Sequence, residues 1–349
     1  MRPLRFALGP RNLPVSKALE LQATTSLARL LWYSGRRDKA RAMLADIYNW
    51  FTEGFDTASL KRSQGAARAT RRVKSVGSML KAMDRQITMK RLTGAIGAEV
   101  KGLTLNHGLD DSTFAIIHQA FLDHCMFRGQ FLEPAAQTAF THRWGNVLRA
   151  SYLRQLEIPE NPEVLASVNR GKAFAFTTEQ WHSDLSFMAA PPAHAILAAQ
   201  VLPETGGDTM FANQYLAYET LSDGMKRLLE GLRALHGGAK LAAYSGIENS
   251  APPQSHPVVR THPETCRKGL YVNRLYTYSI DGLTEAESRG LLDFLCERSC
   301  RPDFTYRHQW AAGDVIMWDN RCTLHYAVHD YGEATRVMHR TTIAGEIPR

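Results

Sequence analysis

The segment WHSDLSF at 181–187 holds an imidazole and a carboxylate two positions apart, at His182 and Asp184. If this segment is a strand, the two side chains project from the same face, because side chains alternate across a strand. They would then supply two of the three ligands of a 2-His-1-carboxylate triad, which holds Fe(II) on one face and leaves positions open for oxygen chemistry. A His-x-Asp pair taken alone is a weak signal that often occurs by chance, and a surface turn is its more common setting.

A third ligand for such a triad has to come from a distant part of the chain. The run VIMWDNRCTLHYAV at 315–328 reads as a strand, an Asp-Asn turn and a second strand. His325 lies just beyond that turn, which makes it the candidate for the third position.

Two arginines follow on one face of the next predicted strand, Arg336 and Arg340. If that face points into a barrel, each buried guanidinium needs an anionic partner, because an unpaired buried charge is costly. Bound ligands would supply those anions, with Arg336 clamping a carboxylate through two hydrogen bonds. The alternative places both arginines on an exposed face, paired with Glu333 or Glu346, and the spacing favours neither.

A glycine turn at Gly206-Gly207-Asp208 precedes Thr209, which we expect to open a strand. The hydroxyl of Thr209 is then a candidate donor to a carboxylate held by Arg336. Without that context the segment is an ordinary hairpin turn.

These motifs, with IGAEVKGLTL, PPAHAILAAQVLPETGGDT, HPVVRTHP and GLYVN, resemble the taurine dioxygenase/TfdA family of Fe(II)/2-oxoglutarate-dependent oxygenases. The resemblance covers about residues 86–349. Order and spacing both match the family pattern, since Arg336 lies 11 and Arg340 15 residues after His325.

The resemblance implies a mainly β fold with inserted helices, built on a double-stranded β-helix (jelly-roll) core. It also implies Fe(II) as cofactor, 2-oxoglutarate as cosubstrate and O2, with no catalytic residue beyond the metal centre. The residues to which it gives roles are His182, Asp184 and His325 for iron, Thr209 and Arg336 for 2-oxoglutarate, and Arg340 for the acidic group of the substrate.

The implied reaction is hydroxylation of a small organic anion, with release of succinate and CO2. Sulfonates, sulfate esters and carboxylates all satisfy the requirement for an acidic group. Because halogenating relatives have a small residue where this chain has Asp184, hydroxylation is expected. Two departures argue against taurine: WGNVLRASYLRQ lacks the histidine pair of taurine-specific relatives, and Thr178 replaces their asparagine.

Two other classes of protein compete with this interpretation. One is a catalytically silent jelly roll that acts as a partner-binding adaptor. The other is a zinc hydrolase with the same three ligands, although zinc needs one open position and gives no reason for an inward Arg336. We expect His256 and His262 to be structural. The aromatic residues that are candidates to line an apolar pocket are Tyr152, Phe174, Phe176, Phe187, Tyr276 and Tyr278.

The sequence divides into two regions, and the second one contains all of these candidate site residues. Residues 1–85 form an N-terminal extension, with an irregular stretch over 1–23, a helix pair over 24–61 and a basic linker over 62–85. The helix pair resembles the last TPR-like repeat of bacterial predicted ATPases. Residues 86–349 form the dioxygenase domain.

Within this domain short strands separated by Gly, Pro and Asn predict a jelly roll or sandwich. Helical spacing predicts helices over DDSTFAIIHQAFLDHCMF, YLAYETLSDGMKRLLEGLRAL and TEAESRGLLDFLCERS.

Charge and composition limit the partners. The net charge is +8, but residues 1–85 hold 17 of the 42 Lys and Arg against 6 of the 34 Asp and Glu. The basic surplus therefore belongs to the extension, and we expect neither nucleic acid nor membrane as a partner. No apolar signal segment or transmembrane run is present, and five cysteines are too few for a disulfide framework. A cytoplasmic location follows, and the family resemblance suggests a homo-oligomer.

Overall fold

The structure is a computed structural model. It describes residues 24, 27–28, 31, 36–53, 87–106, 108–123, 126–127, 129–149, 154, 156–170, 179–245 and 252–349. The candidate pocket residues Tyr152, Phe174 and Phe176 lie outside this set, as does Thr178. The chain divides into two compact units, 1–90 with 110–119 and 91–109 with 120–349.

The first unit contains helix α1 (Arg37–Glu53), strand β1 (Thr88–Arg91) and most of helix α2 (Asp111–Asp123). Helix α1 buries Ala40 and Leu44, one turn apart, as the helical spacing predicted. The predicted helical segment was too long, since Met126–Phe127 form a strand, but helix α2 is confirmed over Asp111–Asp123. Its first turn is capped by the Asp110 carboxylate, which accepts the Thr113 backbone N–H at 2.8 Å.

The second unit is mainly β. Its strands are β2 (Ala98–Lys101), β3 (Met126–Phe127), β4 (Glu157–Ile158), β5 (Asn161–Arg170), β6 (His194–Val201), β7 (Thr209–Asn213), β8 (Arg233–His236), β9 (Gln254–Pro257), β10 (Val259–Thr261), β11 (Lys268–Leu270), β12 (Thr277–Ile280), β13 (Thr305–His308), β14 (Val315–Asp319), β15 (Thr323–Ala327) and β16 (Thr335–Ile343). Its helices are α3 (Pro134–His142), α4 (Gln214–Glu219), α5 (Asp223–Leu229), α6 (Ala239–Ser245) and α7 (Glu285–Ser299).

Two sheets face each other in the predicted jelly roll. The larger sheet contains the order β2-β3-β14-β6-β16-β5-β4, and the smaller has the order β13-β7-β15. An apolar cluster fills the space between them, with Ala195, Ile316 and Trp318 from the larger sheet packed on Phe211 of the smaller one. Strand β14 is buried along its whole length, as expected of a central strand with both faces covered.

The Asp-Asn turn is confirmed, but it does not close a hairpin. Strand β14 belongs to the larger sheet and β15 to the smaller one, so the turn at Asp319–Cys322 carries the chain from one sheet to the other. This crossing brings His325 to the interior face opposite the 182–184 segment.

The prediction of one helix over 215–235 was wrong. Helix α4 ends at Glu219, and Ser222 caps a new helix, α5, by accepting the backbone N–H of Met225 at 3.2 Å. Gly231 then adopts φ +78° and the chain turns into β8, which pairs with β9 and β12. The apolar residues at 232–235 gain more from sheet pairing than from helix extension, and this tertiary preference overrides local propensity.

Helix α7 is confirmed and begins with a capping box between Thr284 and Glu287. Among the residues that the structure describes, no helix is long and apolar enough to cross a membrane.

Candidate active site

His182 and His325 meet across a single antiparallel bridge between two otherwise separate segments. The backbone N–H of His182 donates to the His325 carbonyl at 3.0 Å, and that of His325 donates to the His182 carbonyl at 2.8 Å. The expectation that Asp184 lies on a strand was wrong, because it begins the turn at 184–187. The turn nevertheless brings its carboxylate back toward the two imidazoles.

The three side chains converge on one buried point. Nε2 of His182 lies 3.9 Å and Nε2 of His325 lies 3.5 Å from Oδ1 of Asp184. The two imidazole rings have centroids 4.1 Å apart, and the candidate ligand atoms all lie within 4.8 Å of one another. Each of the three residues is at most 6% exposed.

The protonation of this cluster favours cation binding. Nδ1 of His182 donates to the Gln180 carbonyl at 2.7 Å, which leaves the Nε2 lone pair directed at Asp184. Burial, reinforced by His325, lowers the pKa of His182 to about 3, so the imidazole is neutral near pH 7. Burial opposes ionisation of Asp184, but Arg340 and His325 outweigh it and hold the pKa of that carboxyl well below its ordinary value.

Asn320, in the turn before β15, holds the 182–184 segment in place. Its carbonyl accepts the Ser183 hydroxyl at 2.7 Å, and its side-chain oxygen accepts the Asp184 backbone N–H at 3.3 Å. The same oxygen accepts the indole N–H of Trp318 at 3.0 Å. Leu185, immediately after the carboxylate, has φ +45°, a strained conformation for a side-chain-bearing residue. The turn is therefore held in a fixed shape by its surroundings.

These donors fit a divalent iron ion. Two imidazole nitrogens and one carboxylate oxygen form the 2-His-1-carboxylate set, and they cluster in a buried pocket. Without a cation, the Nε2 lone pair of His182 faces the Asp184 carboxylate, and Nε2 carries no hydrogen that it could donate to that carboxylate.

Arg336, on β16, is buried with unsatisfied donors. It is 5% exposed, and its Nε and Nη2 have no hydrogen-bond partner among the described residues. Burial lowers the pKa of its guanidinium from the ordinary arginine value and outweighs the opposing influence of Tyr331 and Asp208, and no described carboxylate forms an ion pair with it. Its guanidinium carbon lies 5.6 Å from the centre of the Trp310 ring.

Thr209 opens β7 as predicted, and it is buried beside the same indole. Its hydroxyl oxygen accepts the Trp310 ring N–H at 3.0 Å. The preceding turn requires both glycines. Gly207 has φ +75°, and a Cβ there would lie 3.2 Å from Cδ of Arg336, whereas a Cβ on Gly206 would collide with Asp330.

Arg340 lies on the same face of β16 as Arg336, at the end of that strand nearer the candidate metal ligands. Its guanidinium forms an ion pair with Oδ2 of Asp184 and lies 5.6 Å over the Trp318 ring. Of the two arrangements that the sequence left open for the arginines, neither included this pairing of Arg340 with Asp184. The alternative pairing with Glu346 is not observed either, because that carboxylate pairs with Arg260 and approaches Arg321.

A second group of candidate ligand atoms, His262, Asp319 and Cys322, does not fit a metal. Nδ1 of His262 accepts the backbone N–H groups of Glu264 and Thr265 at 3.2 and 3.1 Å, so its Nε2 carries the proton and donates to Asp319 at 2.9 Å. Arg321 neutralises the same carboxylate, with contacts at 2.7 and 2.8 Å. Burial raises the pKa of Cys322 to about 12, which keeps it a thiol. His262 is therefore structural, as the sequence indicated.

Sequence reasoning missed two residues of this region, Asn320 and Trp310. Asn320 stands in the quoted WDN motif, but its contacts run to a segment 136 residues away. Trp310 follows β13 and reaches Thr209 only because β13 pairs with β7. Neither contact has a local signal in the sequence.

A jelly roll that buries a His-x-Asp…His set at its interior face defines the class of mononuclear non-haem iron oxygenases. Comparison with known proteins specifies the family. Residues 88–342 match the model of the taurine catabolism dioxygenase TauD, TfdA family, and the chain belongs to this family.

Several characterised relatives share most of their length with this chain. An alkylsulfatase of Acinetobacter baylyi is 36% identical over 75% of this chain and 86% of that protein. An alpha-ketoglutarate-dependent sulfate ester dioxygenase of Pseudomonas putida is 32% identical over 75% of this chain and 91% of that protein. The crystal structure of a taurine dioxygenase from Burkholderia xenovorans has a TM-score of 0.67 and 36% identity, over 75% of this chain and 90% of that one.

The protein is accordingly a 2-oxoglutarate-dependent dioxygenase that uses Fe(II), 2-oxoglutarate and O2. This assignment favours the oxygenase over the silent adaptor and over the zinc hydrolase that the sequence left open.

Proposed function

We propose that His182, Asp184 and His325 hold the iron, that Arg336 and Thr209 hold the far carboxylate of 2-oxoglutarate, and that Arg340 holds the anionic group of the substrate. The observation that carries the first part is the convergence of three buried ligand atoms with no hydrogen to share at Nε2 of His182. Iron, when bound, supplies the open coordination positions at which 2-oxoglutarate and O2 react.

The role of Arg336 rests on its burial. Two of its nitrogens lack partners among the described residues, and a buried guanidinium without an anion is costly. A carboxylate ligand would satisfy both nitrogens with two parallel hydrogen bonds. The hydroxyl of Thr209, which already accepts from Trp310, retains its own hydrogen for the same carboxylate.

For the substrate we propose a primary alkyl sulfate ester. Arg340 lies at the metal end of β16, and its five N–H groups are able to serve Asp184 and a sulfate together. An apolar cluster of Phe187, Leu275 and Tyr276 adjoins the metal ligands, with the Tyr276 ring edge-on to His182 at 6.3 Å. An anionic head beside an apolar wall fits an alkyl chain, and two of the relatives described above act on sulfate esters by name.

The proposed reaction is balanced by the oxidation of 2-oxoglutarate. One oxygen atom of O2 enters succinate, and CO2 is released. The other replaces a C–H bond with C–OH on the carbon that bears the sulfate. The resulting hydroxylated ester breaks its C–O bond to sulfate and gives an aldehyde and hydrogen sulfate. The protein's own residues contribute by binding, orientation and exclusion of water.

The test is a substrate panel with purified enzyme, Fe(II) and 2-oxoglutarate, in which succinate and inorganic sulfate are measured together. We expect octyl sulfate to give equal amounts of both, and octanesulfonate and phenoxyacetate to give slower succinate release. Fast turnover of phenoxyacetate without turnover of the sulfate would overturn the substrate class while leaving the reaction class intact.

Arg340→Gln supplies the matched variant for the anion site. It should raise KM for octyl sulfate by about 10- to 100-fold, since a charged hydrogen-bonded contact contributes roughly 1.5–3 kcal/mol. Arg289→Gln, on the exposed face of α7, is the control and should leave KM unchanged. An unchanged KM in Arg340→Gln would remove the proposed anion site.

We also infer that residues 86–349 form the dioxygenase domain and that the enzyme works in the cytoplasm. The family match over 88–342 supports the first inference. The second is supported by Cys266, Cys296, Cys300 and Cys322, which are free thiols and thus suit a reducing compartment. Cell fractionation tests the location.

A homo-oligomer is the expected assembly. Val168 and Val201, both more than 40% exposed, flank Val337 in register on the outer face of the larger sheet. Such an apolar stripe suits a contact with a second copy. Light scattering should give a mass above that of one chain, and Val201→Lys should lower it.

A further inference from the structure

We infer that Trp310 is a positioning residue for 2-oxoglutarate, because its indole contacts both residues proposed to hold the far carboxylate. This inference rests on the proposed function. The ring N–H donates to the Thr209 hydroxyl at 3.0 Å, and the ring face lies 5.6 Å from the guanidinium carbon of Arg336. Thr209 and Arg336 belong to different sheets, so the indole spans the gap between them.

The contact with Thr209 fixes the direction of its hydroxyl hydrogen. A hydroxyl group has one hydrogen and two lone pairs. When one lone pair accepts the indole N–H, the hydroxyl hydrogen of Thr209 can no longer point toward Trp310. It is therefore directed at a different acceptor. An indole N–H donates only, so it cannot compete for that hydrogen.

The contact with Arg336 positions a charge that is otherwise unsatisfied. The guanidinium is buried, and the face of the indole ring attracts its positive charge. This attraction does not use the hydrogen-bonding capacity of the N–H groups, which lie in the guanidinium plane. The in-plane donors therefore remain available for a carboxylate. Gly207 closes the other side of the arginine, since a Cβ there would lie 3.3 Å from its Nε.

Trp310 is itself held by a buried histidine that is hydrogen-bonded to an aspartate. The His308 ring packs edge-on against the indole with centroids 4.8 Å apart. Nε2 of His308 donates to Oδ2 of Asp314 at 3.0 Å, and the same oxygen accepts the Ala311 backbone N–H at 2.9 Å. His308 is the register partner of Thr209 across β13 and β7, so this support is built into the smaller sheet.

The experiment is a double-mutant cycle on 2-oxoglutarate affinity, measured anaerobically with Mn(II) in place of iron by calorimetry. Trp310→Phe keeps an aromatic face for Arg336 but removes the N–H. We expect it to weaken 2-oxoglutarate binding by roughly 3- to 12-fold, within the range for one neutral hydrogen bond, with Mn(II) affinity unchanged. In the Thr209→Val background the same substitution should have less than about a twofold effect, because the hydroxyl it orients is absent.

Trp310→Leu removes the aromatic face as well and should weaken binding further, in both backgrounds. Trp144→Phe is the control for loss of an indole, since that ring packs on Phe121 and Phe140. Equal 2-oxoglutarate affinity in Trp310→Phe and wild type would overturn the inference, as would full additivity with Thr209→Val. If wild-type protein binds Mn(II) but not 2-oxoglutarate, the proposed function fails and the inference falls with it.

Discussion

Two of the buried clusters among the described residues bring several histidine, aspartate and other charged side chains together, and of these two only one is arranged for a metal. The first is the triad of His182, Asp184 and His325. The second, here named the Asp319 network, comprises Asp319, Arg321, His194, His262 and Glu264. Asp319 and His325 lie on either side of the turn that carries the chain from the larger sheet to the smaller one.

The clusters differ in where the protons are. In the Asp319 network both oxygens of Asp319 accept two hydrogen bonds: Oδ1 accepts from the backbone and Nε of Arg321, and Oδ2 from Arg321 and His262. In the triad the His182 proton sits on Nδ1, so the Nε2 lone pair faces a carboxylate. Both clusters contain residue types that bind metals, so residue types alone do not distinguish them. The directions of the hydrogen bonds do, because they identify the Asp319 network as a structural ion cluster and the triad as a cation site.

The largest effect should come from removing the carboxylate of the triad. We expect Asp184→Ala to lower turnover by at least about 10³-fold, because a metal centre supplies several kcal/mol of the rate enhancement. Metal content should fall with activity in a variant that circular dichroism shows to be folded. Full iron content in a folded, inactive Asp184→Ala protein would contradict the ligand assignment.

The Asp319 network should respond in the opposite way. Asp319→Asn leaves Arg321 buried without its carboxylate, and we expect a loss of about 3–5 kcal/mol in the free energy of unfolding. Urea denaturation of metal-free protein measures it. Asp303→Asn, in an exposed pair with Arg301, is the control and should cost less than about 1 kcal/mol. An equally small loss at Asp319 would show that the network is not a structural ion cluster.

Metal should stabilise the fold through the triad alone. With Mn(II) at 100 times its Kd, the free energy of unfolding should rise by about 2.7 kcal/mol. Thermal denaturation with and without Mn(II) measures the shift, which should vanish in His325→Ala and persist in Asp303→Asn. A shift that survives in His325→Ala would place the metal elsewhere.

The smallest effect concerns pH. Burial lowers the pKa of His194 in the folded protein to about 3, against about 6.5 unfolded. A group with a depressed folded pKa contributes stability that is complete above the unfolded pKa and is lost as the pH falls below it. Wild type should therefore lose about 1 kcal/mol more than His194→Gln between pH 6.5 and 5.5 in urea unfolding. Parallel pH profiles for the two proteins would contradict the burial of a neutral imidazole.

The sequence predicted the parts of the fold and site that depend on local spacing. Alternation along β16 placed Arg336 and Arg340 on one face, and the glycine turn placed Thr209 at the start of β7. The Asp-Asn turn placed His325 just inside the next strand. Each of these follows from strand periodicity and turn chemistry, which a single sequence displays directly.

The rest depended on contacts between distant segments. The ion pair of Arg340 with Asp184 joins residues that neither periodicity nor spacing relates. The break in the 215–235 helix reflects pairing of β8 with two strands that come later in the chain. The link from Trp310 to Thr209 likewise requires the register of β13 on β7.

The central claim is that the triad is an iron site that receives 2-oxoglutarate. The most direct test is anaerobic titration of the purified protein with Fe(II) and 2-oxoglutarate, observing the weak visible charge-transfer band of the chelate. We expect a band that saturates at one iron per chain in wild type and is absent in His182→Ala. A folded wild-type protein that shows no band, or a His182→Ala protein that shows the full band, would contradict it.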